Sequence, residues 1–289
     1  MTLDMTEIGS KRAVRSSWTF ERVLVHTVLV VFVLIALGPI LVVIINSFKT
    51  TPAIFGGPFA PPTGDTFSLA GYGRVFTRGN FLLNYRNSLI VTTSSVLLTV
   101  VFSTLAAYAL VEYRVRIVPF LAGLFVVGVM LPIRLGTIPI IQMMVALHIN
   151  DTLLALILVY TAMSVPLGVT LMMTYFRTVP PELKEAARVD GAGEFRTFRI
   201  VLPLVRPGLA AVATVTMLPV WNDLWFPLIL APGKGNQTVT LGVQQFVGQF
   251  LNDYPALLAA LTLGAVPLIV LFTIFSRQFI RGLSAGYGK

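Results

Sequence analysis

The residues best suited to bind another molecule lie in a short charged stretch, Pro180–Gly191, between two long apolar segments. Its prolines suit the first turn of a helix, where backbone N–H groups have no partner, and Glu182 faces the positive end of the helix dipole. Gly191 is a natural stop because glycine readily adopts the left-handed conformation. Ala186 and Ala187 present almost no side chain, so another protein could approach closely. Polar contacts to it would come from the flanking charged residues Lys184, Glu185, Arg188 and Asp190.

A second short helix is expected from Gly193 to Leu202, with Phe195, Phe198 and Leu202 on one face at i, i+3 and i+7 spacing. Pro203 ends it, because proline disrupts a continuing helix. The whole segment therefore predicts a helix–turn–helix hairpin. On this pattern alone it is either a docking surface or a solvated hairpin that only links two apolar segments.

One ionisable residue, Asp223, stands inside an otherwise apolar run. A charge in a membrane costs about 3 kcal/mol or more unless it is paired or hydrated, so Asp223 is a candidate functional group. Asn222 and the aromatic faces of Trp221 and Trp225 suit a sugar, whose CH faces stack and whose hydroxyls hydrogen-bond. The alternative is a structural cap, with both tryptophans in the aromatic belt at the membrane surface.

An earlier apolar run opens with Asn87 and Ser88 and continues with further hydroxyl residues. Small and hydroxyl residues in a membrane helix favour tight packing against another helix. A polar wall of a translocation path is the alternative. The hydroxyl residues are Thr92, Thr93, Ser94, Ser95, Thr99, Ser103 and Thr104.

The sequence predicts no catalytic residues and no resident cofactor. Cysteine is absent, which excludes disulfides and thiolate metal sites. His26 and His148 have no carboxylate or second histidine at ligand spacing, so no metal site is expected. The phosphate-binding pattern G-x-x-x-x-G-K-[ST] is missing too, since Gly233-Lys234-Gly235 lacks both its spacing and its hydroxyl. A process driven by ATP would need a separate subunit to bind ATP and Mg²⁺.

Membrane-spanning helices must position these groups. The 289 residues are 56% hydrophobic and 11% charged, with a mean hydropathy of +0.85, whereas soluble domains carry about 25% charged residues. The first apolar run is longer than the core of a signal peptide and is expected to be retained. Residues 134–150 predict an interfacial or re-entrant helix. We predict an all-α membrane protein with six transmembrane helices, Val23–Ile45, Tyr85–Val111, Ile117–Ile133, Thr152–Phe176, Pro207–Leu230 and Tyr254–Ser276.

The distribution of positive charge predicts the orientation. One set of connecting segments holds 15 of the 21 Lys and Arg residues, which places it in the cytoplasm together with both termini. Residues 46–84 then form an external loop, and residues 85–276 form the main membrane core. This bias also accounts for the net charge of +9 without nucleic-acid binding. The cytoplasmic segments are residues 1–22, 112–116, 177–206 and 277–289.

The charged hairpin resembles a known motif. Glu185-Ala186-Ala187, Gly191 and Ile200-x-Leu202-Pro203 resemble the EAA loop of permease subunits of binding-protein-dependent ABC importers. Asp190-Gly191 and Trp221-Asn222-Asp223 are similar to the carbohydrate branch of that family, in particular to the smaller six-span permease of maltose-type systems. The resemblance covers roughly residues 85–281 and implies the type I ABC importer permease fold.

The resemblance implies that residues 177–206 are the coupling loop, which docks a cytoplasmic ATPase. Glu185 would make the polar contact, Ala186 and Ala187 would allow close approach, and Gly191 would make the turn. The implied partners are a second permease subunit, two ATPase subunits that bind ATP and Mg²⁺, and an external solute-binding protein. The implied function is import of a sugar across the cell membrane, and a related solute such as glycerol phosphate stays open.

Two other classes of protein compete with this interpretation. A secondary transporter or channel is disfavoured because the sequence has no inverted repeat and few charges inside its apolar runs. A membrane-embedded enzyme is disfavoured because no catalytic set is present.

Overall fold

The computed structural model describes residues 20–113, 115–248 and 252–284, and this part of the chain is helical. Its longest helices are α1 (Phe20–Ser47), α4 (Phe81–Glu112), α7 (Leu153–Arg177), α10 (Arg206–Asn222) and α13 (Tyr254–Ser284). Shorter helices connect them: α2 (Thr51–Gly56), α3 (Ala70–Arg78), α5 (Val118–Met130), α6 (Thr137–Ala146), α8 (Pro181–Val189), α9 (Glu194–Val201), α11 (Trp225–Leu230) and α12 (Val239–Val243). Residues 1–19 and 285–289 of the predicted tails lie outside the described residues.

Four helical stretches are long and apolar enough to cross a membrane: Arg22–Ser47, α4, α7 and the run from Glu194 to Asn222. A fifth exists if α5 and the helical segment Ile133–Ala146, which meet at an angle of 88°, form one span. Helix α13 has 31 residues, and its stretch Tyr254–Val270 is apolar. The six-helix expectation is thus met in four helices, and the remaining two spans stay predictions.

The predicted third span, Ile117–Ile133, contains only a 13-residue helix, α5. At 1.5 Å per residue it is about 20 Å long, too short to cross a bilayer alone. It ends before Leu131, whose backbone is extended (ψ 124°). The following residue, Pro132, disfavours a helical conformation at Leu131 because its ring crowds the preceding backbone. The chain turns there and forms α6, within the range predicted for an interfacial or re-entrant helix.

The predicted fifth span, Pro207–Leu230, is broken, because α10 ends at Asn222 and α11 starts at Trp225. Pro227 lies just after the break, and in a continuous helix its ring would crowd the carbonyl of Asp223, four residues earlier. That carbonyl instead accepts a hydrogen bond of 2.7 Å from the Thr240 hydroxyl.

Helices α4 and α7 pack side by side in the centre of the molecule. The Ser95 hydroxyl donates to the Ile157 carbonyl at 3.5 Å, and the Ser103 hydroxyl donates to the Val165 carbonyl at 3.4 Å. Both pairs are 62 positions apart, so the two helices run in the same direction. Ser95 and Ser103 are buried here, which supports tight packing as the role of the hydroxyl residues in this helix.

The predicted external loop, residues 46–84, contains helices α2 and α3 and the start of α4. Helix α3 packs on α13, where Arg74 forms a two-pronged ion pair with Asp253 at 2.5 and 2.8 Å. Burial raises the pKa of Asp253, but hydrogen bonds from Arg74 and from the N–H of Ala256 outweigh it and hold this pKa below its ordinary value. This ion pair therefore connects α3 to the start of α13.

Helix α1 is different from the other long helices. It contacts α13, yet none of the side chains in its most apolar 18-residue stretch is buried. Its stretch from Val28 to Ile45 has no charged or hydroxyl side chain, and most of the apolar residues in that stretch are exposed.

Exchanging Gly168 for alanine should destabilise the α4–α7 contact. A Cβ there would lie 2.2 Å from the Ser103 hydroxyl oxygen and 2.9 Å from its Cβ. Overpacking of this kind costs about 1–3 kcal/mol, so we expect a lower thermal unfolding midpoint in detergent. Gly123→Ala on α5 is the matched control, because no atom lies within 4 Å of its added Cβ. Equal midpoints for the two variants would contradict this packing.

Candidate functional site

The charged hairpin forms as predicted, with α8 from Pro181 to Val189 and α9 from Glu194 to Val201. The turn after α8 is closed by two hydrogen bonds, from Gly191 N–H to the Arg188 carbonyl and from Ala192 N–H to the Ala187 carbonyl. This is the Schellman pattern, which requires a left-handed residue at the position of Gly191. Its φ is +76°, so a glycine is needed at this turn.

The hairpin is seated on the C-terminal ends of α4 and α7. Thr197 and Val201 are its buried residues on α9, and the ring of Phe198 contacts the ring of Tyr108 on α4 at 5.0 Å. Phe195, predicted to lie on the same helix face as Phe198, is 68% exposed. The buried face of α9 is therefore rotated toward Thr197 and Val201.

The predicted docking residues of the hairpin divide into an outward group, which faces away from the chain, and an inward group of Lys184, Ala187 and Arg188, which contacts it. Within the described residues, the side chains of Glu182 and Glu185 form no ion pair or hydrogen bond. Ala187 is buried against the protein, so of the two alanines only Ala186 is open to a partner. Val189 is 88% exposed, the largest exposed fraction among the large apolar side chains that the structure describes. The outward group is Glu182, Glu185, Ala186, Asp190 and Gly191, joined by Val189 and Phe195.

Lys184 and Arg188 contact this chain. Both pair with Glu112, the last residue of α4, with Lys184 Nζ at 2.9 Å. Arg188 also donates to Glu194 at 3.3 Å. Hydrogen bonds from Arg188 to Glu112 and Glu194 hold the pKa of Arg188 above its ordinary value. Sequence reasoning missed Glu112 because the charge count used for orientation considers only Lys and Arg.

Pro203 lies in a short 3-10 turn, Leu202–Val205, between α9 and α10. Helix α9 ends at Val201, two residues before Pro203, but the chain continues through this turn into α10, so the stretch from Glu194 to Asn222 is helical almost throughout. The hairpin is therefore joined directly to a long apolar helix.

Asp223 lies at the opposite end of the molecule, in the break between α10 and α11. Its carboxylate accepts hydrogen bonds from the Tyr160 hydroxyl at 2.9 Å and from the N–H of Phe226 at 3.0 Å. Arg134 Nη2 stands 3.9 Å from the other carboxylate oxygen. These groups, with Asn222 and Ser164, line a cavity of about 320 Å³. The cavity offers hydrogen-bond donors and acceptors at the end of an apolar helix.

Both predicted tryptophans lie near this cavity. Trp225 donates from Nε1 to the Thr137 hydroxyl at 3.1 Å, and the Arg134 guanidinium lies 5.9 Å from its ring centre. Trp221 is buried and donates to the Gly264 carbonyl at 3.0 Å. Trp221 therefore packs between helices, while Trp225 is half-open beside Arg134.

Asn87 and Ser88 are buried at the N-terminal end of α4. The Asn87 amide donates to the carbonyls of Gly235 and Gln237, and the Ser88 hydroxyl accepts from Val239 N–H. These contacts hold the segment that precedes α12. A place in a translocation path stays a prediction for both residues.

Arg134, Tyr160 and Ser164 were not predicted as site residues. Arg134 follows the unexpected bend after α5, and Tyr160 sits in the middle of an apolar run. Only the fold brings them to Asp223. A lone tyrosine in an apolar run is a weak sequence signal, although most buried hydroxyls have a hydrogen-bond partner.

The model of the family of binding-protein-dependent transport system inner membrane components matches residues 113–285. The chain therefore belongs to this family of ABC transporter permeases. It is 32% identical over 267 residues to a putative ABC transporter permease protein of Caldicellulosiruptor, covering 90% of this chain and 94% of the relative. It is 30% identical over 278 residues to the diacetylchitobiose uptake system permease protein NgcG of Streptomyces coelicolor, covering 95% and 91%.

A third relative is the arabinooligosaccharides transport system permease protein AraQ of Halalkalibacterium halodurans, 32% identical over 255 residues, with 87% of this chain and 91% of AraQ covered. In three dimensions the chain resembles a subunit of a bacterial ABC transporter involved in the import of the acidic polysaccharide alginate. That match has a TM-score of 0.77 and 21% identity and covers 95% of this chain and all of the other. It confirms the permease fold.

Exchanging Gly191 for alanine should loosen the hairpin turn. A side chain in the left-handed conformation costs about 1–2 kcal/mol, which raises the opened fraction about five- to thirtyfold. We expect correspondingly faster trypsin cleavage after Arg188 and Arg196 in inside-out membrane vesicles, in which the hairpin faces the added trypsin. Gly193→Ala is the matched control, with φ −70° and open space around its Cβ. Identical cleavage rates would argue against the turn described above.

Proposed function

We propose that this chain is the membrane subunit of an ATP-driven importer that moves a sugar into the cytoplasm, with ATP and Mg²⁺ bound by partner subunits. Membership of the family of ABC transporter permeases supports transport driven by ATP. The sugar is supported by relatives named for diacetylchitobiose, for arabinooligosaccharides and, in Bacillus subtilis, for melibiose, raffinose and stachyose. The chain lacks a phosphate-binding loop, so hydrolysis belongs to another polypeptide.

The proposed topology has six spans in the cytoplasmic membrane with both termini in the cytoplasm. The bent pair of α5 and α6 supplies the third span, and α13 supplies the sixth. The excess of Lys and Arg at the α8–α9 end supports this orientation. The Asp223 cavity then opens toward the outside, where an external solute-binding protein would deliver its cargo.

The outward group of the α8–α9 hairpin is the proposed docking surface for an ATPase subunit. It combines two exposed carboxylates, Glu182 and Glu185, with exposed apolar side chains at Val189 and Phe195. Large exposed apolar residues beside charged ones are typical of surfaces that another protein covers. This exposed and rigidly seated hairpin is the observation that carries the proposal.

A second permease subunit is the proposed partner within the membrane. An apolar groove of about 490 Å³ runs between α4 and α10 and is lined mostly by aliphatic and small side chains. Its walls include Leu89, Val96, Ala213 and Met217. Helices pack closely in membranes where small residues line the contact, so this groove suits a helix of the partner permease.

Glu185→Ala should reduce the amount of ATPase subunit that copurifies with the permease. Loss of a hydrogen bond to a charged group costs about 1.5–3 kcal/mol, so we expect a fall of about tenfold or more. Asp65→Ala is the control, because Asp65 is an exposed acid at the opposite end of the molecule. Copurification at the wild-type level in Glu185→Ala would contradict docking through this residue. A wild-type permease that retains no ATPase would favour a secondary transporter or channel.

Asp223→Asn should lower sugar uptake about tenfold or more, because the cavity loses its charged acceptor for Arg134 and for solute hydroxyls. Asparagine preserves the side-chain shape and can still accept from Tyr160. Asp151→Asn is the matched control: Asp151 lies at the same end, outside the cavity lining, and asparagine tolerates its φ of +55°. Uptake is measured with radiolabelled sugar in cells that hold equal amounts of each variant. Normal uptake in Asp223→Asn would remove this residue from the path.

A further inference from the structure

Glu112 occupies an unusual position for a carboxylate. It is the last residue of α4, and its side chain is only 7% exposed. The C-terminal end of a helix carries partial negative charge, so a carboxylate there is disfavoured by the helix dipole. Burial adds a desolvation cost to the charged group. A charged Glu112 therefore requires strong compensation from outside α4.

Helix α8 provides that compensation from one of its faces. Lys184 and Arg188 are four residues apart, so they lie one turn above another on the helix. Lys184 Nζ approaches one oxygen of Glu112 at 2.9 Å, and Arg188 binds the other oxygen. The Lys184 side chain is only 11% exposed. The carboxylate thus binds two cations of the hairpin at once.

The contacts around Glu112 form a closed ring of three helices. Arg188 continues to Glu194 on α9 at 3.3 Å, and the Tyr108 hydroxyl of α4 donates to Glu194 at 3.4 Å. Tyr108 lies one turn before Glu112 on α4. Its ring also contacts Phe198 on α9. Each half of the hairpin therefore has at least one contact to α4 that involves a carboxylate.

The other end of α4 is tied to the Asp223 cavity. Ser88 and Asn87 bind the backbone of residues 235–239, as described above. The next residue, Thr240, donates to the Asp223 carbonyl. Helix α4 has 32 residues and is about 48 Å long. It is therefore a continuous connection from the hairpin to the segment beside the cavity.

We infer that Glu112 is a positioning residue that fixes the α8–α9 hairpin to α4, so that a displacement of the hairpin reaches the Asp223 cavity through α4. This inference rests on the proposed docking of an ATPase at the hairpin. Apolar packing alone would hold the hairpin near α4, but the ring of charged contacts fixes its direction as well. Loss of these charged contacts should therefore leave ATPase docking intact but reduce the amount of sugar moved per ATP hydrolysed.

The test uses the complete transporter, with both permeases and the ATPase subunits, reconstituted in lipid vesicles with the binding protein and labelled sugar. In Glu112→Gln, ATPase retention should stay within about twofold of wild type, while sugar moved per ATP hydrolysed falls about tenfold, within the range of typical coupling energies. The reversed pair, Glu112→Lys with Lys184→Glu, should restore part of the loss, because the ion pair between positions 112 and 184 forms again while Arg188 loses its carboxylate on α4. Asp65→Asn is the control for removing one acidic side chain.

A milder variant covers the case in which Glu112→Gln accumulates poorly. Tyr108→Phe keeps the ring packing and removes only the hydrogen bond to Glu194, so transport per ATP should fall about fivefold, the low end of the coupling range. All rates are normalised to the permease present in the vesicles.

Two results would overturn the inference: wild-type coupling in both Glu112→Gln and Tyr108→Phe, or a parallel loss of docking and transport that the reversed pair does not repair. A wild-type permease that fails to retain the ATPase would instead refute the proposed function, and the inference with it.

Discussion

The close, same-direction packing of α4 against α7 is the contact on which the other features depend. Small side chains at Ser103 and Gly168 let the two backbones approach each other closely. Larger apolar side chains at these two positions would not fit between the helices. Because the helices run the same way, their C-terminal ends lie together and form the seat of the hairpin. Their N-terminal halves carry the groups that hold the segment before α12 and the Asp223 cavity.

Much of the hairpin could be predicted from the sequence. Proline at its start, glycine at its turn and the charged face are local signals, and local signals determine short helices and their caps. The bounds of α8 and α9 and the left-handed turn at Gly191 followed from them. The face that each side chain presents did not, because Ala187, Lys184 and Phe195 are oriented by the helices beneath the hairpin.

The cavity was only half visible in the sequence. Asp223 was recognisable as a charge in an apolar run, yet its partners Arg134 and Tyr160 lie 89 and 63 positions earlier in the chain. The break beside it was missed because Pro227 appeared to continue an apolar span. A proline alone does not identify a break, since Pro166 and Pro219 lie inside continuous helices. At the break, the Asp223 carbonyl accepts a hydrogen bond from the hydroxyl of Thr240, 17 positions later.

Helix α1 shows a different relation between sequence and structure. Since no side chain in its most apolar stretch is buried by this chain, its place in the molecule depends more on overall hydrophobicity than on the shape of individual side chains. Substitutions that conserve apolar character should accumulate in α1 more freely than in α4. The first helix of this protein is thus expected to evolve quickly in sequence while its length stays constant.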